Sequence, residues 1–196
     1  MLGDSQSCRF GDKRGFTLLE LFIAMSVIAV LVGIGIALYP NVMESQRGNR
    51  AKADIAVIQV ALEKYKTRFG TYPKRLGTDT DMEVHIFNSL NGKVTPDGNA
   101  TQVEAMLNLS VLELENDSYP NFNDDTSSSW LTNRVVDPWG NPYLYRFDPD
   151  KHSYVSWNNF RYVLFSEGED GDFDDVSAEG LYDPATSKNE DNIHAE

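Results

Sequence analysis

A long apolar run near the start of the chain constrains its structure more than any other feature. Residues 16–38 read FTLLELFIAMSVIAVLVGIGIAL, and Glu20 is their only charged residue. About 20 apolar residues are enough for a helix to cross the core of a bilayer. A carboxylate inside such a helix is costly and usually has a function. The sequence therefore predicts a transmembrane helix over residues 16–39, in which Glu20 has a specific role.

The residues before this run indicate its orientation and its processing. Lys13 and Arg14 precede it, and basic residues favour the cytoplasmic side of a membrane. An ordinary secretory signal peptide has its small-residue cleavage site after the apolar core, whereas here Gly15 lies before the run. A cut after Gly15 would therefore leave the apolar run on the mature protein.

The segment RGFTLLE, residues 14–20, closely resembles the class III leader of type IV pilins and type II secretion pseudopilins. The resemblance implies that residues 1–15 are a leader peptide, that a prepilin peptidase cuts between Gly15 and Phe16, and that Phe16 is then N-methylated. It also implies that Glu20, the fifth mature residue, serves in filament assembly. Within lipid, the best partner for its carboxylate is the N-terminal amine of Phe16 on an adjacent subunit. A plain membrane anchor, with Glu20 as a chance polar residue, is the alternative.

Beyond the apolar run, residues 40–70 continue the helix as an amphipathic segment. Gly70 followed by Pro73 predicts its end. The segment KADIAVIQVALEKYKTRFGTYP, residues 52–73, is similar to the corresponding stretch of major pseudopilins. The apolar stripe recurs at helical spacing at Ile55, Ile58, Leu62, Tyr65 and Phe69.

The variable region, residues 76–133, gives the weakest pattern. Thr80 and Thr101 each precede a glutamate by three positions, which fits a capping box. The sequence therefore predicts short helices at about residues 81–90 and 102–115. This region is longer than in the typical major pseudopilin.

The C-terminal third alternates turn signals with aromatic and β-branched runs, which predicts a small antiparallel sheet over residues 143–165. The turn DPWGNPY, residues 137–143, is very similar to the turn of major pseudopilins. Together these elements predict an α+β, pilin-like fold, in which a long N-terminal helix with a transmembrane first half packs against the sheet. The periplasmic globular part would be residues 71–196. The predicted strands are residues 143–147, 153–157 and 160–165.

An acidic loop and tail, residues 166–196, follow the predicted sheet. Six carboxylates lie within nine positions, and aspartates at alternate positions around a glycine suit a hard cation with oxygen ligands. Spacing alone favours Asp172 as one ligand and leaves a solvated acidic surface as the alternative. The resemblance to major pseudopilins implies a calcium site, through a Ser-x-Gly-x-Asp-Gly segment that begins at Ser166. The ligands implied are Asp170, Asp174 and Asp175 by their side chains and Glu167 by its backbone carbonyl.

The composition argues against some functions. A net charge of −13 argues against broad nucleic-acid binding. Residues 44–75 hold eight Lys or Arg and three acids, whereas residues 165–196 hold eleven acids and one Lys. These opposed ends could attract one another between stacked subunits, or each could be a solvated surface. The three histidines are scattered and no catalytic motif occurs, so the sequence does not predict an enzyme.

The resemblance as a whole implies a structural subunit of a periplasmic pseudopilus that drives protein export through the type II secretion system. Its partners would be copies of itself in a helical filament, minor pseudopilins, the inner-membrane assembly platform and the prepilin peptidase. It would cross the bacterial inner membrane once, with its C-terminal part in the periplasm. The alternatives are a type IV pilin of a surface fibre and a membrane-anchored periplasmic binding domain or enzyme. The only cysteine, Cys8, lies in the predicted leader. The mature chain therefore lacks the disulfide of many type IV pilins, which favours a pseudopilin.

Overall fold

The structure, a computed structural model, describes residues 16–77, 81–115 and 133–195. The chain divides into two compact units, Met1–Met43 and Glu44–Glu196, and each is described by itself. The long helix α1 (Leu18–Phe69) contributes residues to both units. The other elements are α2 (Met82–Leu90), β1 (Glu113–Leu114), β2 (Val135–Val136), β3 (Leu144–Arg146), β4 (Val163–Ser166) and β5 (Ile193–His194).

In the first unit, the large apolar side chains of α1 are exposed. Every one of them from Leu18 to Ile34 is more than half exposed, and Phe16 before the helix is 92% exposed. Across the residues that the structure describes, no helix combines the length and the apolar character needed to cross a membrane. Contiguous exposed apolar surface marks a site of interaction, so this part of α1 is an interaction surface.

In the second unit, α1 packs one apolar stripe into the hydrophobic core. Ile55, Ile58 and Leu62 are each at most 3% exposed, which confirms the stripe predicted from their spacing. The helix ends at Phe69, as predicted. Gly70 then adopts a φ of 81°, a left-handed conformation that glycine enters without strain.

The main sheet of the second unit is antiparallel and three-stranded, in the order β3-β4-β5. Tyr145 of β3 pairs with Leu164 of β4, and both side chains lie in the same core as the stripe of α1. The Tyr145 hydroxyl donates to the carbonyl of Pro73 (2.8 Å) and so connects β3 to the segment that follows α1. A long helix and small antiparallel sheets in one chain confirm the predicted α+β class.

The strand predicted at residues 153–157 is wrong. The backbone N–H groups of residues 152–154 donate to the buried carboxylate of Asp148, at 2.9, 2.7 and 2.9 Å. These donors are therefore not available to a neighbouring strand. The third strand of the sheet is instead β5, from the C-terminal tail, which pairs with β4.

The helix predicted at about residues 81–90 is confirmed as α2. Its N-cap is Asp81, whose carboxylate accepts the N–H of Val84 (3.1 Å). Thr80, the cap predicted from the sequence, lies outside the described residues. An aspartate is as good a cap as a threonine, so the helix begins with a favourable end.

The helix predicted at residues 102–115 is wrong. The backbone N–H groups of Met106 and Leu107 both donate to the carbonyl of Leu90, the last residue of α2, at 2.8 and 3.2 Å. Because these donors are used by another element, they cannot form local helical hydrogen bonds. A short 3-10 turn at Leu109–Val111 and the strand β1 follow, and β1 pairs antiparallel with β2.

Leu62→Ala is expected to destabilise the second unit strongly. Leu62 is fully buried, and deleting its side chain should leave a cavity that costs about 2–5 kcal/mol of unfolding free energy. Val60→Ala is the matched control, because Val60 is 56% exposed on the same helix and its loss should change stability by about 0.5 kcal/mol or less. Urea denaturation of residues 44–196 measures both. Similar losses from the two variants would contradict the packing of this stripe.

Candidate functional site

The first candidate site is the start of α1, where Thr17 and Glu20 form a reciprocal cap. The Glu20 carboxylate accepts hydrogen bonds from the Thr17 backbone N–H (2.8 Å) and hydroxyl (2.9 Å). The Glu20 N–H in turn donates to the Thr17 hydroxyl oxygen (3.2 Å). This is the capping box of a Thr-x-x-Glu sequence, and it satisfies two backbone N–H groups that a helix start otherwise leaves unpaired.

Of the three residues predicted to act at this site, the structure describes two. Gly15 lies outside the described residues, and Phe16 is 92% exposed before α1. Glu20 has a capping role that the sequence interpretation missed, although the spacing Thr17-x-x-Glu20 carries the signal. The pairing of Glu20 with the amine of a second copy involves two chains and stays a prediction.

The second candidate site is the acidic loop after β4, which side chains of the C-terminal tail hold in place. The Lys188 ammonium pairs with the Asp172 carboxylate at 3.0 Å. The Asn189 side chain accepts the N–H of Asp174 (2.9 Å) and donates to its carbonyl (3.2 Å). The tail therefore supplies a charge and an amide that fix the path of the loop.

Asp175 of the loop pairs with a nearly buried arginine of the sheet. Its carboxylate accepts from Nε of Arg146 (3.0 Å) and from the Tyr154 hydroxyl (2.8 Å). The same guanidinium also binds the Glu83 carboxylate of α2 (2.6 Å), and its side chain is only 10% exposed. Arg146 thus joins α2, β3 and the loop. Its pair with Glu83 is the more buried of the two, and removing one partner of a buried pair costs about 3–5 kcal/mol.

Glu167 is the one predicted calcium ligand that is buried. Glu167 directly follows β4 and is only 9% exposed. Burial, followed by the negative charges of Asp137 and Glu83, raises the pKa of Glu167 to about 7. Asp137 is itself fully buried and accepts the hydroxyl of Ser166 at 2.5 Å. The first residues of the loop therefore lie beside buried acidic side chains.

The predicted calcium ligands differ in the contacts they make within the chain. Within the part of the chain that the structure describes, no three His, Cys, Asp or Glu side chains converge as a metal site. Two of the predicted ligands form ion pairs within the chain, Asp172 with Lys188 and Asp175 with Arg146. The remaining predicted ligands have no such ion pair among the described residues. Calcium binding stays a prediction.

A family model matches the N-terminal part of the sequence. It is described as the prokaryotic N-terminal methylation motif, and the match covers residues 11–36. These residues include the junction of Gly15 and Phe16 as well as Glu20. With the long helix α1 and the small antiparallel sheets, the motif defines the class as a pilin-like α+β protein.

Within that class, the chain is similar to core protein G of the type II secretion system. It is 29% identical to that protein of Escherichia coli, and the comparison covers 88% of this chain and 96% of the relative. The corresponding protein of Pseudomonas aeruginosa is 25% identical over the same shares. That of Pectobacterium carotovorum is 25% identical over 81% of this chain and 78% of the relative. No solved structure matches the chain.

Glu167→Gln is expected to make stability less dependent on pH. Because the pKa of Glu167 is about 7 in the folded chain and ordinarily 4.5, folding opposes ionisation of this carboxyl. Stability that is fully present below about pH 4.5 is therefore lost as the pH rises through about 7, and a neutral Gln avoids that loss. Thermal melts in EGTA should show the variant above the wild type at about pH 8 and level with it near pH 4.5.

Glu169→Gln is the matched control for this experiment, because Glu169 is two residues away and exposed. It should follow the wild type at both pH values. If the melting temperatures of Glu167→Gln and the wild type differ by the same amount at both pH values, the assignment of the pH dependence to Glu167 is contradicted.

Proposed function

We propose that this chain is a structural subunit of the pseudopilus of a type II secretion system, the periplasmic filament that drives protein export. Two similarities that occur in the same chain carry the proposal. The N-terminal methylation motif lies at residues 11–36, and the similarity to core protein G extends over 88% of the chain. The exposed apolar side chains from Leu18 to Ile34 support it further, because a filament subunit needs a surface to share with its neighbours.

In this proposal, the chain is processed and stored in the bacterial inner membrane before it assembles. A prepilin peptidase removes residues 1–15 by cutting between Gly15 and Phe16, and Phe16 is methylated. The apolar segment over residues 16–39 anchors the subunit, and residues 44–196 lie in the periplasm. The basic residues that precede the apolar run support this orientation.

Glu20 provides the proposed assembly contact. Its own cap partner, Thr17, donates hydrogen bonds but supplies no positive charge. The sequence carries no Lys or Arg between Glu20 and Arg47. Because an unpaired carboxylate is costly in apolar surroundings, the N-terminal amine of Phe16 in a neighbouring copy is the partner that neutralises it. Minor pseudopilins and the inner-membrane assembly platform are the further partners proposed.

Glu20→Gln is expected to abolish most filament assembly without disturbing the helix cap. Glutamine also serves at the third helical position of a capping box, so the variant loses only the charge. A charged hydrogen bond is worth about 1.5–3 kcal/mol, so the yield of sheared filaments should fall at least about tenfold. Gel quantification and electron microscopy of the filaments measure this fall.

Thr17→Ala is the control, because it removes the capping hydroxyl and keeps the Glu20 charge. It should assemble nearly as well as the wild type. Intact-mass analysis should show that every variant has lost residues 1–15 and gained one methyl group. Equal assembly by Glu20→Gln and the wild type would rule out the charge contact, and a mature chain that begins beyond Leu38 would rule out the processing.

The proposal includes one calcium ion in the acidic loop. Asp170 and Asp174 support it, because neither has an ion pair within the described residues, and Glu167 would add its backbone carbonyl. Gly168 and Gly171 both have a positive φ, which gives the loop the sharp turns that let oxygens face one point. When bound, the ion would neutralise the repulsion between the carboxylates of the loop.

Calcium is expected to raise the melting temperature relative to EGTA. A ligand that binds only the folded chain stabilises it by about 2.7 kcal/mol at a hundred times its dissociation constant. Asp170→Ala should remove this difference, whereas Glu179→Ala, an exposed acid outside the loop, should retain it. Equal melting of the wild type with and without saturating calcium would reduce the loop to a solvated acidic surface.

A further inference from the structure

The second unit has an open groove beside the last turns of α1, and the contacts described so far do not involve it. Its volume is about 710 Å³, and Val60 lies in its apolar part. Glu63 is the carboxylate among the residues that line it. The groove carries three exposed basic side chains, Lys64, Arg68 and Arg161.

Among the residues that the structure describes, these three cations have no acidic partner. Among the described residues, no carboxylate forms an ion pair with any of them within 4 Å. Glu63 accepts the hydroxyl of Tyr72 (2.7 Å), which directs its carboxylate to a neighbour in the same unit. The groove therefore carries an excess of positive charge.

An exposed aromatic residue is next in sequence to a residue that lines the groove. Phe160 directly precedes Arg161 and is 94% exposed, and Val60 within the groove is 56% exposed. Aromatic residues and arginine are enriched where proteins bind one another. This combination fits an acidic protein partner that also offers apolar contact.

The same unit carries a surface of opposite charge. The acidic corner, defined as Glu169, Glu190 and Asp191, consists of exposed residues. The Asp191 carboxylate accepts the N–H groups of Glu169 (3.0 Å) and Asp170 (3.4 Å), so the loop and the tail lie side by side. No basic side chain pairs with these three acids within the described part of the chain. The corner therefore concentrates unpaired negative charge.

The groove and the acidic corner lie near different ends of the part of α1 in this unit. The Asn141 amide donates to the carbonyl of Gly168 (3.2 Å), and in the same turn the Trp139 indole N–H donates to Glu44 (3.2 Å). The corner is therefore near the first residue of the unit. Lys64 lies about 20 residues further along the helix, which corresponds to about 30 Å. The two surfaces therefore occupy different parts of one copy.

We propose that the groove of one copy binds the acidic corner of a second copy. Complementary charge selects this occupant, since the same chain supplies both surfaces. Because two different surfaces meet, the contact repeats from copy to copy along an open polymer. The proposal rests on the filament function proposed above and names one of its subunit contacts. Charges at such a surface fix register and partner choice and make the contact sensitive to salt.

Cross-linking of the full-length chain in assembled filaments tests the contact. The single natural cysteine, Cys8, lies in the proposed leader, so a processed chain carries only introduced thiols. Lys64→Cys combined with Glu190→Cys should give a ladder of multimers with a short bifunctional maleimide. Lys52→Cys combined with Glu190→Cys is the control, because Lys52 is exposed on α1 outside the groove, and it should stay largely monomeric.

Charge reversal tests the same contact through its electrostatics. Lys64→Glu with Arg68→Glu should lower the filament yield roughly threefold to tenfold, since two exposed ion pairs are replaced by repulsion. Adding Glu169→Lys and Glu190→Lys to the same chain should restore the yield. Arg47→Glu with Lys52→Glu makes the same change in net charge outside the groove and should leave the yield unchanged.

Different outcomes separate this contact from the filament function itself. Normal filaments from the groove variant, without a ladder from the cysteine pair, would overturn the contact and leave the filament function standing. Normal filaments with loss of export would assign the groove to an exported protein and would also overturn the contact. A wild-type chain that forms no filament in a secreting cell would overturn both.

Discussion

Helix α1 must be compatible with two different surroundings, and the rest of the structure follows from this constraint. Up to Ile34 its large apolar side chains point in every direction and are exposed, which suits only apolar surroundings. From Ile55 to Tyr65 the apolar side chains form a single stripe, which suits a one-sided core. The sheet and α2 supply that core. The two parts of the helix therefore differ in the partners they need, and only the second part finds them in the described chain.

The elements that could be predicted are those whose pattern is local. Helical spacing predicted the stripe of α1, and turn residues around aromatic runs predicted β3 and β4. The errors arose where a group outside the predicted element accepted hydrogen bonds from its backbone, as Leu90 does for residues 106–107 and Asp148 does for residues 152–154. The sequences of residues 106–107 and 152–154 do not indicate that their backbone N–H groups form these hydrogen bonds. β5 has only two residues, which is too few for any periodicity.

The candidate sites likewise contain residues that the sequence could predict and contacts that it could not. The junction before α1 is a contiguous motif, so its residues could be predicted from the sequence. The cap formed by Thr17 and Glu20 was missed, although their spacing of three residues could have predicted it. The acidic loop could be recognised by composition, but its partners could not. Arg146 belongs to a strand, and Lys188 lies 16 positions beyond Asp172. Which carboxylate meets a cation and which stays unpaired is decided by the fold.

The strand β5 also shields the sheet to which it belongs. It pairs along β4 at Phe165 and Ser166, so these residues do not present a free row of N–H and C=O groups. A bare strand edge is a template on which another chain can add, and it leads to aggregation. The chain is proposed to work in a filament, where many copies lie close together. There, covering the edge of β4 protects against aggregation, even though β5 forms few hydrogen bonds. The tail covers this edge of β4 and becomes the new edge of the sheet, but β5 has only two residues, and so short an edge offers another chain little backbone with which to pair.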